Sequence, residues 1–394
     1  MSEEAPITMP ITASAATSVA MPITPQRPYM TARIVFAIIV LAAAFFIYLA
    51  TPPSPCPSDA PEMEFSAYRA IQHDYIIAKE PHPAGSPANE KVQNYICDTM
   101  RSLGIDANIV TDHTASGRSA GERNMVLARI PGTENTKAFA LMAHYDSVPY
   151  GPGGADDGAG VISLIEVARA LKASPPLKND VIFVFTDAEE NGKLGVYAFS
   201  DHPWFKEVGL TANFEARGTQ GNSLLYGTSD QNGWLIEHMI QAVRYPTATS
   251  LMYDVYKRMP FSSDFDEIRP MGMKGFDIAF VDNFSWYHTK NDKPEHLNLS
   301  SLQQHGMYAL DMARHFGSIP LTGALTKPDA MYFNIIGPLM VHYPIDWARP
   351  LAIATSVLLA LAFLLGRIRK HISIIGVFLG AIIWALTTLV SAAI

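Results

Sequence analysis

Cysteine is nearly absent from this 394-residue chain, with only Cys56 and Cys97 present. Two thiols define neither a disulfide framework nor a thiolate zinc site. They could form one bridge in an oxidising compartment, although such isolated cysteines are more often free. Any zinc site must therefore be built from His, Asp and Glu. A basic tract is lacking as well, and the net charge is −8, which excludes a nucleic-acid surface. What the chain does have is hydrophobic residues, at 48%. That is enough for one large domain or two smaller ones.

The hydrophobicity is unevenly spread. Three segments are expected to cross a bilayer, at 33–51, 349–366 and 372–394. Their cores read IVFAIIVLAAAFFIYLA (34–50), PLAIATSVLLALAFLLG (350–366) and ISIIGVFLGAIIWALTTLVSAAI (372–394), all uncharged. The first could be a signal peptide. Its apolar run exceeds the roughly 7–15 residues of such a segment and a long tail precedes it, which favours an uncleaved anchor. Arg27 and Arg33 lie before the first span, and Arg367, Arg369 and Lys370 lie between the last two. Both clusters are cytoplasmic only if the intervening region is on the opposite side, whether periplasm, lumen or cell exterior. The sequence ends at Ile394 inside or just at the end of the third run, which fits a truncated fragment or a protein that stops at the membrane face.

Residues 1–32 are rich in Pro, Thr, Ala and Ser and repeat APIT or MPIT, a composition that reads as a disordered tail. Residues 52–63 form a stiff, proline-rich linker. From 64 to 320 the pattern alternates between helices and strands, with 321–348 connecting this domain to the second span. Val92, Ile96, Met100 and Leu103 have helical spacing and Gly104 follows as a stop. Strands are expected at Met125–Ile130, Ala138–Ala143 and Val181–Thr186, with weaker candidates at 211–214, Leu224–Tyr226 and Ile278–Val281. Gly158 to Leu171 and Leu299 to Phe316 read as helices. This alternation predicts an α/β domain with a mostly parallel central sheet flanked by helices on both faces. Active sites of such sheets form in the loops beyond the carboxyl ends of the strands.

The chemistry-bearing residues fall in those places. HYDSVPYGPGGADDGAG carries His144, Asp146 and the adjacent Asp156 and Asp157. FTDAEENGKLG carries Glu189 and Glu190, NFEARG carries Glu215, and NFSWYHTKND carries Tyr287, His288 and Asp292. Each has a bland reading, as a solvated loop histidine or as acids at a helix start. Their recurrence in one loop after another, without lysines to neutralise them, favours a cation-binding centre of N and O donors that suits zinc.

In order, PHPAGSPAN, RNMVLARIPGT, HYDSVPYGPGGADDGAG, FTDAEENGKLG, NFEARGTQGNS and WYHTKND resemble the di-zinc aminopeptidase-type metallopeptidases, above all their membrane-anchored vacuolar and endoplasmic-reticulum forms. The resemblance spans about residues 65–318 and extends to MYFNIIG (331–337). It implies a three-layer sandwich and a peptide-hydrolysing enzyme with two Zn2+ ions. His144, Asp156 and Glu215 would bind one ion and Asp156, Glu190 and His288 the other. Asp156 rather than Asp157 is the shared ligand, because the family pattern Asp-x-x-(Ser/Ala)-Gly matches 156–160. Glu189 corresponds to the general base, Asp146 to the carboxylate that orients His144, and Tyr287 to a tyrosine that steadies the oxyanion in some members. Many members have Asp where Glu215 stands, a change that keeps ligation. The resemblance implies peptide substrates, a lipid bilayer and an aminopeptidase. A carboxypeptidase or dipeptidase, a silent receptor-like member and a cyclase acting on N-terminal glutamine are the alternatives.

Overall fold

The computed structural model describes residues 27–116 and 119–393. The expected tail at 1–32 therefore lies mostly outside the described residues. The chain divides into two compact units, Met1–Tyr48 and Leu49–Ile394. The described part of the first unit is helix α1 (Arg27–Ala50), whose last two residues belong to the second.

The second unit runs α2 (Ala67–Ile77), α3 (Pro87–Ser102), β1 (Asp106–Ser116), β2 (Ser119–Ile130), β3 (Ala138–His144), α4 (Gly158–Lys172), β4 (Val181–Thr186), α5 (Leu194–Asp201), β5 (Val208–Ala216), β6 (Leu224–Thr228), α6 (Gly233–Ala242), α7 (Ser250–Tyr256), α8 (Asp264–Ile268), β7 (Gly275–Phe280), α9 (Leu299–Phe316), β8 (Ala330–Ile336), β9 (Leu339–Pro344), α10 (Ala348–Ile368) and α11 (Ile374–Ala393). Seven strands form one sheet in the order β1-β2-β4-β3-β5-β7-β6. The four central strands, β4, β3, β5 and β7, are parallel, and antiparallel strands finish both edges.

The continuous apolar runs of β3 and β4 follow from cover on both faces. Successive side chains alternate across a strand. Phe139, Leu141, Ala143, Phe183 and Phe185 join α4 and α9 in one core layer. Ala140, Met142, Ile182 and Val184 join Val196 and Phe199 of α5 and Phe265 of α8 in the other. Strand β1 was not anticipated, because DANIVTDHTAS on the sheet edge lacks a buried alternating face. The weak strand expected at 211–214 is the nine-residue β5.

Residues 321–348 contain the hairpin β8/β9, outside the main sheet. Two stretches are long and apolar enough to cross a membrane, Ala32–Ala50 and Ile345–Ile368. In α11 the corresponding described stretch, Ile374–Val390, is shorter. Cys56 and Cys97 are both free. Cys97 is buried, and its thiol donates to the Ala107 carbonyl at 3.6 Å.

Candidate metal centre

The carboxyl ends of the four parallel strands, with the loops that follow them, bring the expected residues together. His144 is the last residue of β3, and its Nδ1–H donates to the Asp146 carbonyl oxygen at 3.0 Å. This hydrogen bond assigns the proton to Nδ1 and leaves the Nε2 lone pair facing inward. Nε2 lies 3.4 Å from Asp156 Oδ1 and 3.6 Å from Glu215 Oε2. On the far side of Asp156, Oδ2 is 3.0 Å from His288 Nε2, which is 2.8 Å from Glu190 Oε1. Asp156 thus stands between a His144–Glu215 pair and a His288–Glu190 pair.

The adjacent aspartates diverge. Asp157 is the N-cap of α4, and its carboxylate accepts from the Gly160 and His144 backbone N–H groups at 3.0 and 3.3 Å. A Cβ at Gly160 would sit 2.4 Å from that carboxylate, so the Gly of ADDGAG makes room for the cap. Donor atoms of His144, Asp156 and Glu190 lie within 4.8 Å of one another, as do those of His144, Asp157 and Glu215. Both Asp157 oxygens accept backbone N–H groups, whereas Asp156 Oδ2 makes no hydrogen bond.

Asp146 ties two loops together. Its carboxylate accepts from the backbone N–H groups of Glu189 and Glu190 at 2.9 and 3.3 Å, and lies 3.4 Å from His144 Nδ1. The turn that presents the glutamates passes through Ala188 in the left-handed region, at φ 59°. Glu215 lies within β5 rather than in the loop after it, and Asn213 donates to its Oε1 at 3.2 Å. Tyr287 stacks on His288 with ring centroids 3.7 Å apart.

Three neighbours lacked a role in the sequence reading. Asp292 accepts from the backbone N–H groups of Ala155 and Asp156, fixing the Asp156 loop; its motif was noted but its role was not. Gly154 is required there, since a Cβ would lie 2.6 Å from the Lys293 backbone. Lys193 corrects the expectation that no lysine neutralises these acids, because its Nζ is 3.1 Å from Glu189 Oε1, four residues earlier in the turn. Asp264 is fully buried and accepts from the Thr186 hydroxyl at 2.5 Å. No local motif marks it.

Charge decides what the cluster can hold. Asp146, Asp156, Glu189, Glu190 and Glu215 converge, and Lys193 is the one lysine or arginine in ion-pair contact with any of them among the described residues. Burial alone would lower the His144 pKa, but Glu215, Asp146 and Asp156 carry it above its ordinary value. Burial and Asp156 push Glu190 up to about 8 against the pull of His288. His288, which burial would lower, is raised to about 10 by Asp156 and Glu190. A cation would offset this crowding of carboxylates, since metal ligands bind deprotonated. Asp156 Oδ2, Glu190 Oε1 and His288 Nε2 are buried and make no hydrogen bond although they face one another. Three such atoms, all hard or borderline donors, fit a zinc ion.

Residues 125–313 match the model of peptidase family M28. That match to peptidase family M28 falls within the folded domain. Among curated relatives, the vacuolar membrane protease of Candida dubliniensis is 32% identical over 275 residues, 66% of this chain and 29% of that protein. Endoplasmic reticulum metallopeptidase 1 of Mus musculus is 28% identical over 308 residues, 71% of this chain and 34% of that protein. The chain therefore spans about a third of the length of the curated relatives it matches. A zinc aminopeptidase from Bacillus subtilis superposes with TM-score 0.53 at 16% identity, covering 68% of this chain and 99% of its own. Porphyromonas gingivalis glutaminyl cyclase gives 0.52 at 20%, covering 64% and 98%. At these identities the likeness is one of fold: a mixed, mostly parallel sheet flanked by helices. The M28 match supports a metallopeptidase domain, and the relatives named for membranes accord with the two apolar helices.

Proposed function

We propose that this chain is a membrane-anchored zinc exopeptidase, an aminopeptidase that hydrolyses peptide bonds with a glutamate as general base. The observation that carries this reading is the convergence of Asp156, Glu190 and His288 through unpaired buried atoms, with His144 and Glu215 on the other side of Asp156. His144, Asp156 and Glu215 would hold one ion; Asp156, Glu190 and His288 would hold the second. Bound there, two zinc ions supply a water of lowered pKa and a polarised substrate carbonyl.

The rest falls to the protein. Burial raises Glu189 to about 7, with His144 and Lys193 opposing and Glu215 and Asp156 assisting, which suits a group that takes and returns a proton near neutrality. Glu189 accepts the proton of the attacking water and hands it to the leaving amine. Asp146 holds the backbone of both glutamates, so that one faces His288 while the other faces Lys193. Tyr287, fixed by its stack on His288, would donate to the carbonyl oxygen as it gains charge. A silent, receptor-like member or a single-zinc cyclase would be expected to lack part of this set, and all five ligand positions and Glu189 are present.

One observation favours a second reading. Arg217 lies over Phe261 and Tyr287, at 4.7 and 5.4 Å from the ring centroids, and has no carboxylate partner among the described residues. Such a guanidinium can grip a substrate's C-terminal carboxylate. On the aminopeptidase reading, acetylating the N-terminus of a test peptide abolishes cleavage and amidating its C-terminus does not. The reverse pattern, measured by product chromatography, identifies a carboxypeptidase or dipeptidase.

The basic clusters favour a catalytic domain on the non-cytoplasmic side. Reporter fusions near residue 60 and near residue 340 are both expected to report that side, and a cytoplasmic signal at either overturns the topology.

A further inference from the structure

The hairpin β8/β9 has two unlike faces. In its register Tyr332 opposes His342 and Asn334 opposes Met340 on one face, while Met331 opposes Tyr343 and Phe333 opposes Val341 on the other. Tyr332 and Met340 are buried, and Asn334 is bonded to the Ala248 N–H and the Pro246 carbonyl, so the first face packs on the domain except at His342, which is exposed. The second face is apolar throughout. It continues into the turn, where Ile335 is 54% and Leu339 58% exposed. Hairpin turns are ordinarily built from Gly, Pro, Asn, Asp and Ser. Here the tip reads Ile-Ile-Gly-Pro-Leu, and from Ala330 to Ile345 there is no Asp, Glu, Lys or Arg.

The hairpin leads into an apolar stretch long enough to cross a membrane. β9 passes through Ile345 and the exposed Trp347 directly into α10, none of whose residues is buried. At the other end, a Cβ at Gly337 would lie 2.8 Å from the Leu49 carbonyl oxygen. Leu49 and Ala50 line a cavity of about 150 Å3 with Ile335, Gly337 and Pro338. The hairpin thus leads straight into a helix apolar enough to cross a membrane. Apolar side chains without charge, with a tryptophan and a tyrosine at one end, match the chemistry of the bilayer interface.

We propose that the outer face of β8/β9 rests in the lipid interface and seats the catalytic domain against the bilayer. This rests on the reading that α10 spans the membrane, and the test separates the two. In full-length protein with Cys56→Ala and Cys97→Ala, single cysteines replace Ile335, Leu339, Leu358 in mid-α10, or the exposed Ser102 on α3. Each carries an environment-sensitive fluorophore, in phosphatidylcholine vesicles doped with doxyl-labelled phosphatidylcholine. Labels at 335 and 339 are expected to be quenched several-fold more than the label at 102, and more by shallow than by deep doxyl groups. The label at 358 is expected to be quenched best by deep ones. Quenching at 358 but not at 335 and 339 overturns the hairpin proposal alone. Blue-shifted but unquenched labels at 335 and 339 also overturn it, because a second copy or another protein segment then covers the face. No quenching at 358 overturns the membrane reading on which it stands.

Discussion

Glu189→Gln lowers kcat by about 10²–10⁴, the contribution of a positioned general base, while zinc content stays near that of the unaltered protein. The change keeps size and shape but removes the group that accepts the proton. It also removes the 3.1 Å ion pair with Lys193, which is largely shielded from solvent, so a small loss of stability accompanies it. KM should move less than kcat, because the lost interaction belongs to the transition state. Glu190→Gln acts differently. It takes a charged donor from the set it forms with Asp156 and His288, and the ion there is lost or weakened. Kinetics beside metal analysis on both variants distinguishes the roles. Metal loss in Glu189→Gln with both ions kept in Glu190→Gln would reverse the assignment. Unchanged turnover in both would make the glutamates ordinary surface acids, contrary to their burial.

The second large effect separates the adjacent aspartates. Asp156→Ala removes the one carboxylate in contact with both His144 and His288, so on the proposed two-ion reading both ions would lose a ligand. The activity loss should exceed the about 10–100-fold typical of residues that only orient ligands. Asp157→Ala removes a helix cap and leaves the His144 N–H without its acceptor. Its cost is chiefly stability, about 0.5–2 kcal/mol for the cap, with zinc retained. Thermal unfolding and zinc content measured together settle the pair. Zinc loss in Asp157→Ala with retention in Asp156→Ala would move the shared ligand one residue along.

Much of this was legible in the sequence where burial imposes a pattern. VIFVFT reads as a doubly covered strand because no position in β4 reaches solvent. Helix α9 begins and ends where the spacing of its apolar residues predicts. Edge strand β1 and the hairpin β8/β9 were missed, since neither buries both faces and their patterns are set by neighbours distant in sequence. In the site, the chemistry-bearing residues stood out by motif, but their supports did not. Asp292 acts through two backbone N–H groups more than 130 residues away, a contact only the fold creates. Lys193 was passed over although its spacing of four from Glu189 was visible, because the turn was not read as bringing them together. Asp156 and Asp157 diverge because Asp157 caps α4, a role that the sequence alone does not distinguish.

The zinc content of the purified full-length chain, measured together with its peptidase activity through chelation and re-addition, tests the two-ion centre most directly. The account predicts close to two equivalents per chain, turnover abolished by chelation, and recovery with zinc or cobalt. Full turnover by protein shown to be metal-free would contradict it.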